Sequence, residues 1–346
     1  MNPLKDEKIS RRRAALWLGL SPLLAAVPRV GGDQKPAVDT PDGGKRIKLP
    51  MKAGSLRFAV MGDTGRGDRG QYEMAAQMVK VWKEYPFETM IMVGDNIYGG
   101  DSPSEMTRKF ETPYKPLIDG GVKFQASIGN HDNPNQRFYK LFNMGTNRFY
   151  TFRPPKSQNI RFFAIDSNYI DKEQLDWLER ELASSTSDWK IPFFHHPLYS
   201  SGATHGSSLE TRAALEPLFV KHNVSAVFAG HDHFYQRIKP QKGGIVHWVS
   251  GAGGSLRKGD IRASDMSAKN FDTDYHFMIC EIAGDEMFFQ AISRTGTTVD
   301  SGVIRRQGGA TTISAPLPLA SASPVASASP ASPRPPVAVP SLTPGH

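Results

Sequence analysis

A layered α/β fold is what this sequence predicts, and three observations carry the prediction. Between Leu56 and Arg306, short β-rich apolar runs alternate with stretches whose apolar residues recur at helical spacing. Five of those runs end in turns that carry aspartate, asparagine or histidine. The 346 residues are 39% hydrophobic and 22% charged, enough apolar material for a large core and unlike a disordered, collagenous or coiled-coil chain.

Leu56 to Met61 reads as a strand, and Gln71 to Tyr85 as a helix with Met74, Ala75, Met78, Val81 and Trp82 on one face. Thr89 to Val93 and Val122 to Ile128 are the next strands. Ile160 to Ile165, Ile191 to Phe194 and Val224 to Ala229 continue the pattern, with helices at Glu173 to Leu182 and Leu209 to Val220 between them. The apolar runs around Met278 and Phe289 read as core strands. No internal repeat is visible.

The residues at the strand ends carry the chemistry. Gly62-Asp63-Thr64-Gly65 comes after the first strand, Gly94-Asp95-Asn96-Ile97-Tyr98 after the second and Gly129-Asn130-His131-Asp132 after the third. His195-His196-Pro197 and Gly230-His231-Asp232-His233 come after two later ones. The carboxyl ends of strands in an open α/β sheet share one rim, so these loops are expected to converge. The glycines suit sharp turns that aim short side chains at that rim. A lone Gly-Asp is usually a turn, and a lone histidine usually a satisfied polar group. Five such turns, with six of the ten histidines (His131, His195, His196, His205, His231 and His233) in or beside them, instead indicate a metal or catalytic cluster.

The ends of the chain read differently. Residues 1–28 combine a charged start, including Ser10-Arg11-Arg12-Arg13, with an apolar run too short for a comfortable bilayer span, as in a cleaved export signal. The arginine pair resembles a twin-arginine address, which places the protein in the periplasm or outside the cell; a membrane association is expected only if the signal stays uncleaved. Cleavage after Ala26 removes five basic and two acidic side chains, lowering the formal charge from +8 to +5. Residues 29–54 read as a flexible leader, 55–306 as one folded domain and 307–346 as a disordered tail rich in Pro, Ala and Ser. The single cysteine, Cys280, excludes an intramolecular disulfide.

The five turns resemble, in order, the motifs of the calcineurin-like metallophosphoesterases, and within them those of the small, tartrate-resistant type of purple acid phosphatase. The similarity runs from about Leu56 to Gly254 and takes in Phe149-Tyr150, Asp166-Ser167 and Ser250 to Gly254. Tyr98 is the discriminating residue, because most of the wider superfamily lacks a tyrosine there. The resemblance implies an α/β/β/α sandwich in a single domain. It implies that Asp63, Tyr98 and His233 hold one metal, that Asn130, His195 and His231 hold a second, and that Asp95 bridges them. Phenolate and carboxylate oxygens suit Fe(III), and the Asn/His set suits divalent Fe, Zn or Mn. The implied reaction is hydrolysis of a small phosphate monoester by direct attack of metal-bound hydroxide. Asn130, His131 and His205 would contact substrate, and His131 or His205 would protonate the leaving oxygen.

His196 is expected to support the ligands rather than react, Asp132 to orient its loop, and Arg66 to be a solvated loop residue. Two rival readings are a phosphodiesterase or nucleotidase built on the same site, and a non-catalytic exported metal-binding protein. Structural metal sites are normally closed, which weighs against the second. Nucleic-acid binding is not expected, since no dense basic stripe with interleaved aromatics occurs. A monomer is expected.

Overall fold

Alternation along β1 (Leu56–Met61) decides the layering: Phe58 and Val60 point into one core, whereas Ala59 and Met61 point into another on the opposite face. A computed structural model describes residues 47–155, 157, 159–186, 189–307 and 310–314. In it β1 pairs in parallel with β2 (Thr89–Met92), which pairs in parallel with β3 (Lys123–Ala126). The other flank of β1 is antiparallel to β11 (His276–Ala283), followed by β12 (Glu286–Ser293), β13 (Thr298–Gln307) and β14 (Ala310–Ser314). This seven-stranded sheet has the order β14-β13-β12-β11-β1-β2-β3.

A second seven-stranded sheet contains β4 (Tyr150–Phe152), β5 (Ile160–Ala164), β6 (Trp189–Phe193), β7 (Ala226–Ala229), β8 (Tyr235–Ile238), β9 (Val246–Ser250) and β10 (Ser267–Phe271). Its order is β10-β8-β9-β7-β6-β5-β4, with β5, β6, β7 and β9 parallel. Phe162 and Phe228 from this sheet meet Phe58 edge to face across the shared core, with ring centroids 5.3 and 6.2 Å away.

Helices cover the outer faces. Asp68 caps α1 (Arg69–Glu84) by accepting from Gln71 N, and Met74, Ala75, Met78 and Val81 bury one stripe against the first sheet. α2 (Pro103–Met106) and α3 (Thr112–Asp119) lie on the same side, joined through a π-turn at Thr107–Glu111. Leu178 and Leu182 of α4 (Lys172–Ala183), with Leu215 and Phe219 of α5 (Leu209–Lys221), pack on the outer face of the second sheet. The result is the expected α/β/β/α sandwich. Among the described residues no helix is long and apolar enough to cross a membrane.

Three expectations need correction. The motif loops do not share the rim of one sheet: those after β1, β2 and β3 come from the first sheet, and those after β6 and β7 from the second. The fold also reaches into the expected leader. Leu49 is buried, Gln290 Oε1 accepts from Lys48 N at 2.8 Å, and the buried carboxylate of Glu281 accepts from Met51 N at 2.7 Å and from Lys52 N. At the other end β14 extends the sheet beyond residue 306. The β-branched run Thr311-Thr312-Ile313 can pair with β13, which a reading weighted to Ala, Ser and Pro overlooks. The expected export signal and the rest of the expected tail lie outside the described residues.

His247 on β9 is buried beside Tyr199, and burial, with Arg212 adding to it, lowers its pKa to about 3. It stays neutral in the fold but takes up a proton near 6.5 once unfolded, so its contribution is intact above that pH and is lost as the pH falls toward 3. Between pH 7 and pH 5 the wild type should lose about 2 kcal/mol more unfolding free energy than His247→Phe. Equal losses in denaturant titrations of the two proteins would contradict this.

Candidate metal centre

The five loops meet where the ends of the two sheets come together. Loop one, after β1, is zipped to loop two, after β2: Asp63 N donates to Gly94 O, Thr64 N to Asp95 O and Tyr98 N to Gly65 O, at 3.0, 3.0 and 2.9 Å. Loop two is tied to loop three, after β3, by the buried carboxylate of Asp132. It accepts from Asn96 Nδ2 and Ile97 N at 2.9 Å each and from Gly129 N at 2.8 Å. Burial, reinforced by Asp95, raises the Asp132 pKa to about 8. Asp132 therefore does orient its loop.

The backbone is strained where the candidate ligand side chains sit. Asp63, Asp95 and His231 adopt φ of 57°, 49° and 71°, a left-handed conformation uncommon for residues other than glycine. The turns expected of the preceding glycines thus fall largely on the ligand residues themselves. The glycines mainly provide room: a Cβ on Gly129 would stand 2.2 Å from Asp95 N, and one on Gly94 would stand 2.6 Å from His195 Nδ1.

His195 shows what the cluster requires. Val93 O can only accept, so His195 Nδ1 donates to it at 3.0 Å and the lone pair of Nε2 points into the site. That lone pair faces Asn130 Oδ1 at 3.0 Å and Asp95 Oδ1 at 3.4 Å, with His231 Nδ1 3.1 Å away. On the neighbouring side Tyr98 Oη lies 3.2 Å from Asp63 Oδ1 and 3.1 Å from His233 Nε2, which is itself 3.4 Å from Asp63 Oδ1. All seven predicted metal ligands are therefore brought together, in two groups on either side of Asp95.

This donor set fits bound cations. Burial, with Asp95 beside it, pushes the Asp63 carboxyl well up, and burial holds His195 and His231 well down and His233 down to about 4. Burial and the neighbouring Asp63 and Asp95 also raise the Tyr98 phenol, so its ionisation would require a cation. Asp63, Asp95 and His195 each offer a ligand atom within 4.8 Å of the others, as do His195, His196 and His231. His196 is thus nearer than a purely supporting role requires. Its Nδ1 is 2.8 Å from Ser167 Oγ and its ring centroid 4.5 Å from that of His231.

The two expected proton donors lie at the mouth. His205 is exposed and its ring centroid is 4.1 Å from that of His231, while the exposed His131 lies 5.0 Å from the Tyr98 ring and donates its backbone N–H to Asp95 Oδ1. Arg66 is exposed as expected, yet its guanidinium sits 4.7 Å from the Tyr98 ring centroid rather than free in solvent.

Several positioning residues escape sequence reasoning. Lys109, turned inward at the π-turn, donates to Tyr98 O and to Gly100 O, the latter at 2.9 Å, and Gln71 Nε2 donates to Lys109 O. Pro113 and Pro116 disguise this segment as a loop, and a buried lysine has no sequence signal. The His205 loop is clamped by Asp232 Oδ2, which accepts from Ser200 Oγ and from Gly206 N at 3.2 Å, and by Asp260, whose carbonyl accepts from Ala203 N at 2.7 Å. Arg257, whose backbone N–H donates to His233 O at 3.0 Å, depresses both His205 and His233, second only to burial.

Comparison with known proteins adds identity to this geometry. Residues 56–235 match the family model described as calcineurin-like phosphoesterase. Purple acid phosphatase 17 of Arabidopsis thaliana is 27% identical over 259 residues, covering 65% of this chain and 76% of that protein. Tartrate-resistant acid phosphatase type 5 of Oryctolagus cuniculus is 25% identical over 251 residues, covering 60% and 76%. Among solved structures, purple acid phosphatase PPD1 from yellow lupin (Lupinus luteus) seeds superposes with a TM-score of 0.62 at 20% identity, over 75% of this chain and 55% of that one. GAP50, the anchor in the inner membrane complex of Plasmodium, gives 0.63 at 21% identity over 73% and 89%. At these identities the structural likenesses establish the fold alone.

Gly94→Ala should displace the His195 ring, because it forces a Cβ into φ +90° and against that ring. The expected result is at least a halving of bound metal and a loss of about 1–3 kcal/mol of stability. Gly100→Ala, where a Cβ meets nothing within 4 Å, is the control. Equal metal content in the two variants, measured by plasma mass spectrometry, would refute the argument.

Proposed function

The chain belongs to the calcineurin-like phosphoesterase family, and from that premise we propose that it is a purple-type acid phosphatase that hydrolyses phosphate monoesters at two metal ions. The observation that carries this reading is the seven-residue donor set with Tyr98 in it. Membership makes the protein a phosphoesterase and implies a dinuclear centre; the monoester preference, the mechanism and the identity of the metals are our proposal. Asp63, Tyr98 and His233 would hold an Fe(III) ion, and Asn130, His195 and His231 a divalent Fe, Zn or Mn, with Asp95 shared. When bound, such a pair clamps the phosphoryl group and lowers the pKa of water at the site.

The chain's own residues supply the rest. Asn130 and the ring of His131 would contact the phosphoryl group from the loop after β3. His205, exposed beside His231, would carry a proton on its imidazole and pass it to the leaving oxygen; His131 is the other candidate. Arg257 and Arg66, near His233 and Tyr98, would offset the phosphate charge. Direct displacement by water needs no nucleophilic side chain, and none is assigned.

Asp95→Ala should abolish p-nitrophenyl phosphate hydrolysis and lower metal content together, whereas Tyr98→Phe should bleach the visible absorption of the wild type. An active, fully metallated Asp95→Ala protein, or an unchanged Tyr98→Phe spectrum, would end the proposal.

Export is proposed separately, on Ser10-Arg11-Arg12 and the apolar run beyond it. Replacing Arg11 and Arg12 together by Lys should trap the full-length protein in the cytoplasm of a bacterial host. Recovery of both forms from the periplasm in equal amounts would argue against the twin-arginine route.

A further inference from the structure

A cleft of about 600 Å³ opens beside the metal centre on the side of Asn130 and His196. Its wall continues through Ser167 and Tyr169 to Glu210 and Thr211 at the start of α5. Because Asn130 belongs to one group of metal ligands and the His196 ring lies 4.5 Å from the ring of His231, an ester whose phosphate sits at the centre can extend its alcohol into this space.

The charge of the wall is one-sided. Three acidic side chains border the cleft and no lysine or arginine does. Asp132 is satisfied by three N–H groups, and Asp166 is paired with Arg148 at 3.0 Å. Glu210 is exposed and, among the described residues, has no hydrogen-bond or ion-pair partner, so its charge is available to a ligand. Tyr169, 62% exposed, adds an aromatic face to the same cleft. The arginines near the centre, Arg66 and Arg257, stand by Tyr98 and His233 instead. A substrate that matches this field is anionic at its phosphate and cationic at its far end.

We propose that this cleft receives the leaving alcohol and selects phosphate monoesters of cationic amino alcohols, with Glu210 as counter-charge and Tyr169 as the face on which an alkylammonium group rests. A carboxylate offers such a cation a counter-charge and an aromatic ring a cation–π face, and both line this cleft. Anhydrides and polyphosphorylated alcohols would instead bring a second negative charge against Glu210. This proposal rests on the phosphatase reading and refines its substrate class.

The test compares the metal-loaded protein on phosphocholine and on its uncharged isostere, 3,3-dimethylbutyl phosphate, with p-nitrophenyl phosphate as reference. The wild type should favour phosphocholine by about tenfold in kcat/KM, and the preference should shrink as salt is raised. Glu210→Gln should bring the ratio near one, Glu210→Lys should invert it, and Tyr169→Leu should reduce it with Glu210 still in place. A ratio within one protein does not depend on the fraction of it that is folded. A wild-type ratio of one or less, or a ratio unchanged in Glu210→Gln, overturns the proposal while leaving the phosphatase intact. A metal-loaded wild type that turns over none of the three esters overturns the phosphatase reading, and this proposal with it.

Discussion

Carboxylate, amide, imidazole and phenol groups converge at the ends of two sheets, a donor set that could hold a cation, and the loops that present it are tied to one another. The nitrogen of His195 that faces Asn130 and Asp95 cannot turn away, because the other nitrogen is committed to Val93 O. Asp63 and Asp95 are both buried, and burial, with the repulsion of Asp95 added to it, raises the Asp63 carboxyl. Asp63, Asp95 and His231 are also held in left-handed backbone, at an order of 1–3 kcal/mol each, strain of the kind that clusters at ligand sites.

Such strain persists only when the surroundings over-determine it. Here they do so from two sheets. Loops one and two are zipped by backbone bonds, Asp132 joins loop two to loop three, and Gly254 N donates to Asp63 O at 3.1 Å from the turn after β9. Lys109 braces the carbonyl of Tyr98 through a π-turn, a helix irregularity frequent at functional sites. Asp232 and Asp260 hold the His205 loop from below. Asp232 lies between His231 and His233, so the same short turn presents two candidate ligands outward and anchors the loop of a candidate acid inward. Ligand geometry and proton-donor placement are thereby coupled through one carboxylate.

Similar folds carry different roles, as the lupin phosphatase and the Plasmodium anchor illustrate. What distinguishes this chain is its side chains and the field they make. Positive groups gather near Tyr98 and His233, and an unpaired carboxylate lies along the cleft on the opposite flank. That asymmetry is written in residues far apart in sequence, on loops of ordinary local composition.

Much of the site was nonetheless legible in the sequence. Strand periodicity located β1, β2, β3, β5, β6 and β7, and the residues just after β1, β2, β3, β6 and β7 supplied the seven candidate ligands, because a strand end is where a short side chain can be aimed at a shared point. Periodicity did not reveal β14, whose pairing depends on β13, or the helical segment from Pro103 to Asp119, whose prolines and buried Lys109 contradict local propensity and are outweighed by packing. The sequence by itself determined which atoms could bind metal, since that is a property of residue type and position along a strand. Only the tertiary structure decided that two sheets rather than one bring them together, which nitrogen of His195 is free, and that Glu210 and Tyr169 line one cleft with Asn130, because these are distances between segments with no local signature of one another.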